Sequence, residues 1–244
     1  MRTLVVSDIH GNLAALEAVL DEPCDRVVCL GDIVGYGPEP AASLRLLRTH
    51  DLIAVQGNHD RAASQGVPPR CSARFQWLAD ATAPTSRGQL SADDRSFLSA
   101  LPHWGVVECG RSRFMLVHAT PSDPLYRYLG PDPIGWREEV RGLEAKALLT
   151  GHTHIQFDLL VDGVRVVNPG SVGQPKDGDP RAAYAVIEDG EVILKRAAYD
   201  VERTIRAYER SRVNGAAVSA LAALLRVGRV GEWIGSADRA AGPG

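Results

Sequence analysis

Carboxylates, imidazoles and one amide recur along this chain in five short motifs: Asp8-Ile9-His10, Gly31-Asp32, Gly57-Asn58-His59-Asp60, His118 and Gly151-His152-Thr153-His154. Such oxygen and nitrogen donors suit Mn²⁺, Fe, Zn²⁺ or Ni²⁺ better than Ca²⁺, and no thiolate is offered. Two cations held roughly 3.5–4 Å apart stabilise both oxygens of an in-line displacement at phosphorus. Such a pair needs a ligand that bridges it, and the two carboxylate oxygens of Asp32 make it the natural candidate. His10, His59, His118, His152 and His154 all fall in motif contexts, leaving His50 and His103 outside. A lone histidine beside a strand is more often structural, but five in one ordered set point to a shared site.

Each motif follows a short apolar run: Leu4-Val5-Val6, Val27-Val28-Cys29-Leu30, Leu52-Ile53-Ala54-Val55, Phe114-Met115-Leu116-Val117 and Ala147-Leu148-Leu149. Runs of this kind, bounded by Gly or Asp, read as buried strands. Side chains at the carboxyl ends of neighbouring strands project into the crevice where open α/β sheets place their ligands. Gly11, Gly31, Gly57 and Gly151 at the strand-to-loop turns permit tight backbone geometry.

Between these strands, Asn12 is placed to cap a helix carrying Leu13, Leu16, Val19 and Leu20 at helical spacing. A second helix runs from Pro40 to Thr49, and Ser91 with Asp94 forms a capping box for a third that stops at Pro102. Residues 66 to 90, rich in Pro, Ser, Arg and Gly, read as an irregular segment that covers the site. Later the pattern turns to hairpins, at Gly110-Arg111, Asp162-Gly163 and Asp189-Gly190. Parallel units followed by hairpins imply an α/β fold of two mixed sheets packed as a sandwich, with helices on the outer faces. The expected organisation is a domain over residues 1–200, a helical appendage over 201–234 and a frayed tail over 235–244.

A net charge of -3 over 244 residues argues against an extended nucleic-acid footprint. No apolar stretch is long enough to span a bilayer, and the start of the chain lacks the pattern of a signal peptide. Cys24, Cys29, Cys71 and Cys109 show no Cys-x-x-Cys spacing, so a reducing cytoplasmic setting is expected. Oligomeric state is unreadable, and a second copy of the chain stands as a candidate partner.

The ordered set Asp-x-His, Gly-Asp, Gly-Asn-His-Asp, His, Gly-His-x-His resembles the calcineurin-like metallophosphoesterase family, in its small bacterial phosphodiesterase-like branch, over residues 1 to 200. The resemblance implies a four-layer α/β/β/α fold and two divalent ions, Mn²⁺ first among the candidates. It implies Asp8, His10 and His154 on one ion, Asn58, His118 and His152 on the other, and Asp32 between them. It also implies a metal-bridging hydroxide as nucleophile. His59 becomes the acid or electrostatic stabiliser at the phosphate, and Asp60 either orients His59 or holds the loop, with family analogy favouring orientation. The implied activity is hydrolysis of a small phosphate ester, a diester first. The same motifs also serve phosphomonoesterases, nucleotide and protein phosphatases, nucleases, and a non-enzymatic scaffold of the same fold. The intact donor set weighs against the scaffold. Little sequence beyond residue 200 remains for the extra domain of a nuclease. The segment from Asn168 to Gly173 resembles one in small bacterial members and is expected to shape the loop beside the ligands. Arg61, Arg70 and Arg74 are weaker candidates for phosphate contact.

Overall fold

The computed structural model describes residues 1–231. Its first strand, β1 (Thr3–Val6), is buried throughout, because neighbours cover both of its faces. It pairs parallel with β2 (Arg26–Cys29), which pairs parallel with β3 (Leu52–Ala54). On its other side β1 meets β9 (Ala182–Glu188) antiparallel, and β10 (Glu191–Ala197) closes that edge. The second sheet runs β4 (Trp104–Cys109), β5 (Ser112–Val117), β6 (Ala147–Leu149), β8 (Val164–Asn168), β7 (Phe157–Val161). It too mixes parallel and antiparallel pairs.

Alternation along the strands builds the layers. Val5, Val28 and Leu30 from the first sheet meet Phe114, Leu116 and Leu149 from the second in one apolar seam. The residues between them, Leu4, Val6, Val27 and Cys29, face α1 (Leu13–Leu20) and α2 (Pro40–Leu47) on the opposite side. Outside the second sheet, Val117, Leu148 and Val166 pack under Trp136 of α6 (Pro133–Val140). Strands buried on both faces need near-continuous apolar runs, and these have them.

The local punctuation works as its chemistry requires. Asn12 caps α1 by accepting the Ala15 N–H, and Ser91 with Asp94 closes both halves of a capping box on α5 (Ala92–Ala100). At the hairpins, Asp162 and Gly163 (φ 48° and 86°) and Asp189 and Gly190 (φ 51° and 76°) hold the paired positive φ values of a type I′ turn.

Residues 66–90 depart from the sequence expectation, because α4 (Ala73–Gln89) is a long helix despite an internal Pro84. Its buried face is Phe75, Leu78, Ala79, Thr82 and Ser86, which is helical spacing in which two of the five members are polar. Thr82 donates to the Leu78 carbonyl, and Ser86 accepts the Gly35 N–H, so both are satisfied in place. The Gly-Asn-His-Asp motif itself starts a helix, α3 (Asn58–Gln65).

Beyond Asp200, α7 (Val201–Glu209) and α8 (Gly215–Val227) lie against the rest of the molecule. Tyr208, Leu221, Leu224 and Leu225 share an apolar cluster with Tyr36, Phe75 and Leu78. Thr204 donates to the Asn12 side chain, 2.7 Å away, which ties α7 to the cap of α1. The tail expected over 235–244 lies outside the described residues. Among the described residues, no helix is long and apolar enough to cross a membrane.

Candidate metal centre

The two sheets deliver their donors to one crevice. Asp8 and His10 follow β1, Asp32 follows β2, and Asn58 follows β3. His118 follows β5 directly, while His152 and His154 follow β6. All seven are buried to 3% exposure or less.

Two donor groups result: Asp8, His10 and His154, and Asp32, His118 and His152. In the first, His10 Nε2 lies 3.1 Å from His154 Nε2, and Asp8 Oδ1 lies 3.4 Å from His154 Nε2. In the second, His118 Nε2 lies 3.0 Å from Asn58 Oδ1 and 3.1 Å from His152 Nδ1. Asp32 Oδ2 joins the groups, at 3.7 Å from His10 Nε2 and 3.4 Å from His118 Nε2.

Hydrogen bonds behind the rings set which nitrogen faces the crevice. The Nδ1 atoms of His10, His118 and His154 lie 3.2, 2.8 and 2.6 Å from the carbonyls of Val34, Leu30 and Gln174. A carbonyl only accepts, so each Nδ1 carries a proton, and the neutral rings of His10 and His154 aim an Nε2 lone pair inward. Lone pairs of His10 and His154 then face each other at 3.1 Å, and Asp8 Oδ1 is buried with no hydrogen-bond partner. Facing acceptors repel unless a cation sits among them, so the donor set fits a metal pair. Burial leaves His10, His152 and His154 well below the ordinary histidine value. It also opposes charge on His118, but Asp32 and Asp8 outweigh it and push that ring up to about 9. In the metal-free protein that proton occupies a place a cation would take.

The calcineurin-like phosphoesterase superfamily model matches residues 1–190. This chain belongs to that superfamily. The uncharacterized protein MJ0912 of Methanocaldococcus jannaschii is 32% identical, over 95% of this chain and 94% of that protein. A metallophosphoesterase from Sphaerobacter thermophilus has a similar structure, with a TM-score of 0.75 at 32% identity, covering 93% of this chain and 99% of its own. Phosphodiesterase YfcE of Escherichia coli is 28% identical over 78% of this chain and 88% of its own. The protein is thus a metal-dependent phosphoesterase of α/β fold.

Several of these candidate ligands occupy the left-handed region: Asp8 (φ 53°), His10 (48°), Asp32 (54°), His152 (67°) and His154 (60°). Non-glycine residues adopt it at a cost that the surrounding structure must hold in place. The Ser7 hydroxyl and the His152 N–H both donate to Asp8 Oδ2, at 2.6 and 3.0 Å. Ser171 donates to the Asp8 carbonyl at 2.7 Å, and Asn168 donates to the Gly151 carbonyl at 2.7 Å. These bonds are what the segment from Asn168 to Gly173 contributes beside the ligands.

His59 is 6% exposed, with its ring 4.5 Å from that of Tyr36 and 5.0 Å from that of His10. Burial lowers its pKa to about 4, so the ring is neutral at pH 7 in the metal-free protein. Asp60 does not hold the His59 ring. Its Oδ1 accepts the Val34 N–H at 3.1 Å and its Oδ2 accepts the Gly57 N–H at 3.0 Å. Both oxygens thus fasten the Asp32 loop to the start of α3, which is the loop-holding alternative. Burial, reinforced by Asp32, pushes Asp60 up to about 7.

The arginines singled out from sequence are not among the metal-donor groups. Arg61 donates to the Tyr126 hydroxyl, Arg70 lies 4.1 Å over the Tyr126 ring, and Arg74 donates to the Gly231 carbonyl. Sequence reasoning missed the aromatic and cationic wall instead. The Tyr128 ring lies 3.9 Å from that of His152, and Lys176 Nζ sits 4.0 Å over Phe75. Burial lowers Lys176 to about 8, and its charge in turn depresses His10, His59 and His154. No motif marks Tyr128, Lys176 or Phe75.

Proposed function

We propose that this chain hydrolyses small phosphodiesters with a pair of divalent cations, Mn²⁺ foremost, held by Asp8, His10, Asp32, Asn58, His118, His152 and His154. The observation that carries this reading is the position of Asp32 Oδ2 between His10 Nε2 and His118 Nε2, which gives the two donor groups one shared oxygen. When bound, such cations polarise phosphoryl oxygens and acidify water.

The remaining work falls to the chain. The α3 N-terminus directs its His59 N–H at Asp32 Oδ1 over 2.8 Å, so the helix dipole and a hydrogen bond both favour the ionised bridge. Burial opposes that charge, yet the protonated His118 beside it holds the Asp32 carboxyl well below the usual carboxylate range. His59 stands over the first donor group and serves the phosphate as hydrogen-bond donor or acid toward the departing oxygen. Lys176 and Tyr128 border the crevice and limit its width.

A net charge of -3 supports a small substrate over an extended nucleic acid. The four free cysteines suit a reducing cytoplasm. A matrix of metals against substrates tests the reading. Protein stripped and reloaded with Mn²⁺, Fe²⁺, Zn²⁺ or Ni²⁺ is assayed on bis(4-nitrophenyl) phosphate, 4-nitrophenyl phosphate, cyclic nucleotides and long DNA. The expected result is metal-dependent turnover that favours the diester. Faster turnover of the monoester would replace the diesterase with a phosphatase, and preferred cleavage of DNA would replace it with a nuclease.

A further inference from the structure

Beside the metal donors, α3 and α4 enclose a cavity of about 410 Å³ whose inner wall includes His59 and Tyr36. Both rings also lie against His10, so the cavity and the donor groups share a wall. Its sides are carbon-rich, built from Ala62, Val67, Pro69, Ala79, Ala83 and Pro84. A volume in this range with apolar sides and a few polar groups is typical of a small-molecule site.

Charge narrows the occupant. Among the residues lining the cavity, Arg87 is the cation, and its Nη1 is committed to the carbonyls of Ala63 and Ser64 near the end of α3. Asp80 places a carboxylate in the lining, with Oδ1 accepting from Gln76. Pro84 has no N–H, so the Asp80 carbonyl loses its helical partner and adds a further acceptor there. A second phosphate would meet the Asp80 carboxylate as well as the Arg87 guanidinium, so the lining offers it no net positive charge. A flat, uncharged ring would meet carbon walls.

Resting on the phosphodiesterase reading above, we propose that this cavity is the leaving-group subsite and receives the uncharged aromatic alcohol portion of the ester. Hydrolysis forms a new P–O bond from water and breaks the P–O bond to the aryl oxygen, which departs as the phenol with its proton. His59 lies where both events meet, because it faces His10 on one side and lines the aryl cavity on the other.

Ala83→Phe tests the assignment, since Ala83 is an exposed position of α4 that can accept a larger side chain without disturbing the core. The probes are 1-naphthyl methyl phosphate as substrate, inorganic phosphate as a competitor confined to the metal centre, and 1-naphthol as a fluorescent ligand of metal-free protein. The expected result is a KM for the naphthyl ester raised about tenfold, with inhibition by phosphate unchanged and naphthol binding weakened to match. Ala83→Ser should behave as the parent protein, which separates filling of the cavity from damage to the helix. Unchanged KM and naphthol binding in Ala83→Phe would overturn the subsite while leaving the diesterase intact. Metal-loaded parent protein that binds naphthol but turns over no phosphate ester would overturn the hydrolase reading, and the leaving-group role with it.

Discussion

The backbone N–H of His59 donates to Asp32 Oδ1 at 2.8 Å, so the residue proposed to serve the phosphate and the carboxylate that joins the two donor groups are fastened together. Asp32 therefore uses one oxygen to receive the start of α3 and the other to face His10 and His118. Asp32→Ala should remove both functions, with the metal content falling below the parent's about two per chain and most turnover lost. Asp32→Asn keeps the hydrogen-bond acceptor and should retain weaker metal binding. Elemental analysis after dialysis checks both variants. Full occupancy and activity in Asp32→Ala would remove Asp32 from the bridging position.

Substitution of His59 separates the reacting group from the ligands. Its ring has no hydrogen bond to any donor residue among the described residues, so His59→Ala should keep the parent metal content. Turnover should fall by about 10²–10⁴-fold, the usual contribution of a positioned acid or base. His152→Ala should instead lose metal affinity, because His152 Nδ1 faces His118 Nε2 at 3.1 Å. Loss of metal from His59→Ala, or an unchanged rate on an activated diester, would contradict this division.

The donors were legible in sequence because each sits at the end of its own apolar run, where strand and motif are both local signals. The Asp-Gly hairpins were legible for a similar reason, since Asp162-Gly163 and Asp189-Gly190 reach the φ values that these residues tolerate. By contrast, α4 hid its helical pattern behind Pro84 and the buried polar Thr82 and Ser86, of which Ser86 meets its partner, the Gly35 N–H, on a distant loop. The work of Asp60 was illegible too, because it depends on the Val34 amide, 26 positions away. Lys176 and Tyr128 reach the crevice from segments without a motif, and only the packing of the two sheets brings them there.

Gly57 is required for space. A Cβ there would stand 2.1 Å from Asp32 Oδ1 and 2.2 Å from Asp32 N, while its φ of −92° is open to any residue. Gly57→Ala should cost about 1–3 kcal/mol and weaken metal binding, because the backbone on either side cannot yield cheaply. Gly66→Ala offers the contrast, with a left-handed φ of 73° at the α3 C-cap and its nearest contact at 3.4 Å on the flexible Arg87 side chain. It should lower Tm through backbone strain alone and leave metal affinity unchanged. Equal metal affinity in both variants would show that Gly57 does not shape the centre.

Acid should loosen a junction remote from the metals. Lys195 and Tyr184 donate to Glu22 Oε2 at 2.7 and 2.8 Å, and Arg2 pairs with Oε1. These donors, Lys195 first, hold the Glu22 carboxyl below its ordinary value of 4.5. A lowered folded pKa means stabilisation that is complete above pH 4.5 and is lost as the pH falls through the folded value. Glu22→Gln should lower Tm at pH 7 by about 2–4 °C, with the gap to the parent closing as the pH falls through the lowered folded value. Thermal melts from pH 7 to pH 3 measure that gap. A gap of constant size would mean that ionisation of Glu22 contributes nothing to stability.

Residues 201–227 should support the site through packing, though they carry none of its ligands. Tyr208, Leu221, Leu224 and Leu225 cover Phe75, Leu78 and Tyr36, and the Tyr36 ring lies 4.9 Å from that of His10. Leu221 is fully buried, so Leu221→Ala should cost about 2–5 kcal/mol by leaving a cavity between α8 and α4. Truncation after Asp200 removes the whole cover. It should expose Phe75 and Leu78, lower Tm and promote self-association, with the seven donors still present in the remaining chain. Because Tyr36 then loses its backing, turnover should fall even under saturating metal, and Leu221→Ala should show the same change in smaller measure. Light scattering, thermal melts and metal titration of both variants distinguish the outcomes. A truncated protein with the parent's molar mass, Tm and turnover would show that these helices neither cover the α4 face nor steady the tyrosine beside the centre.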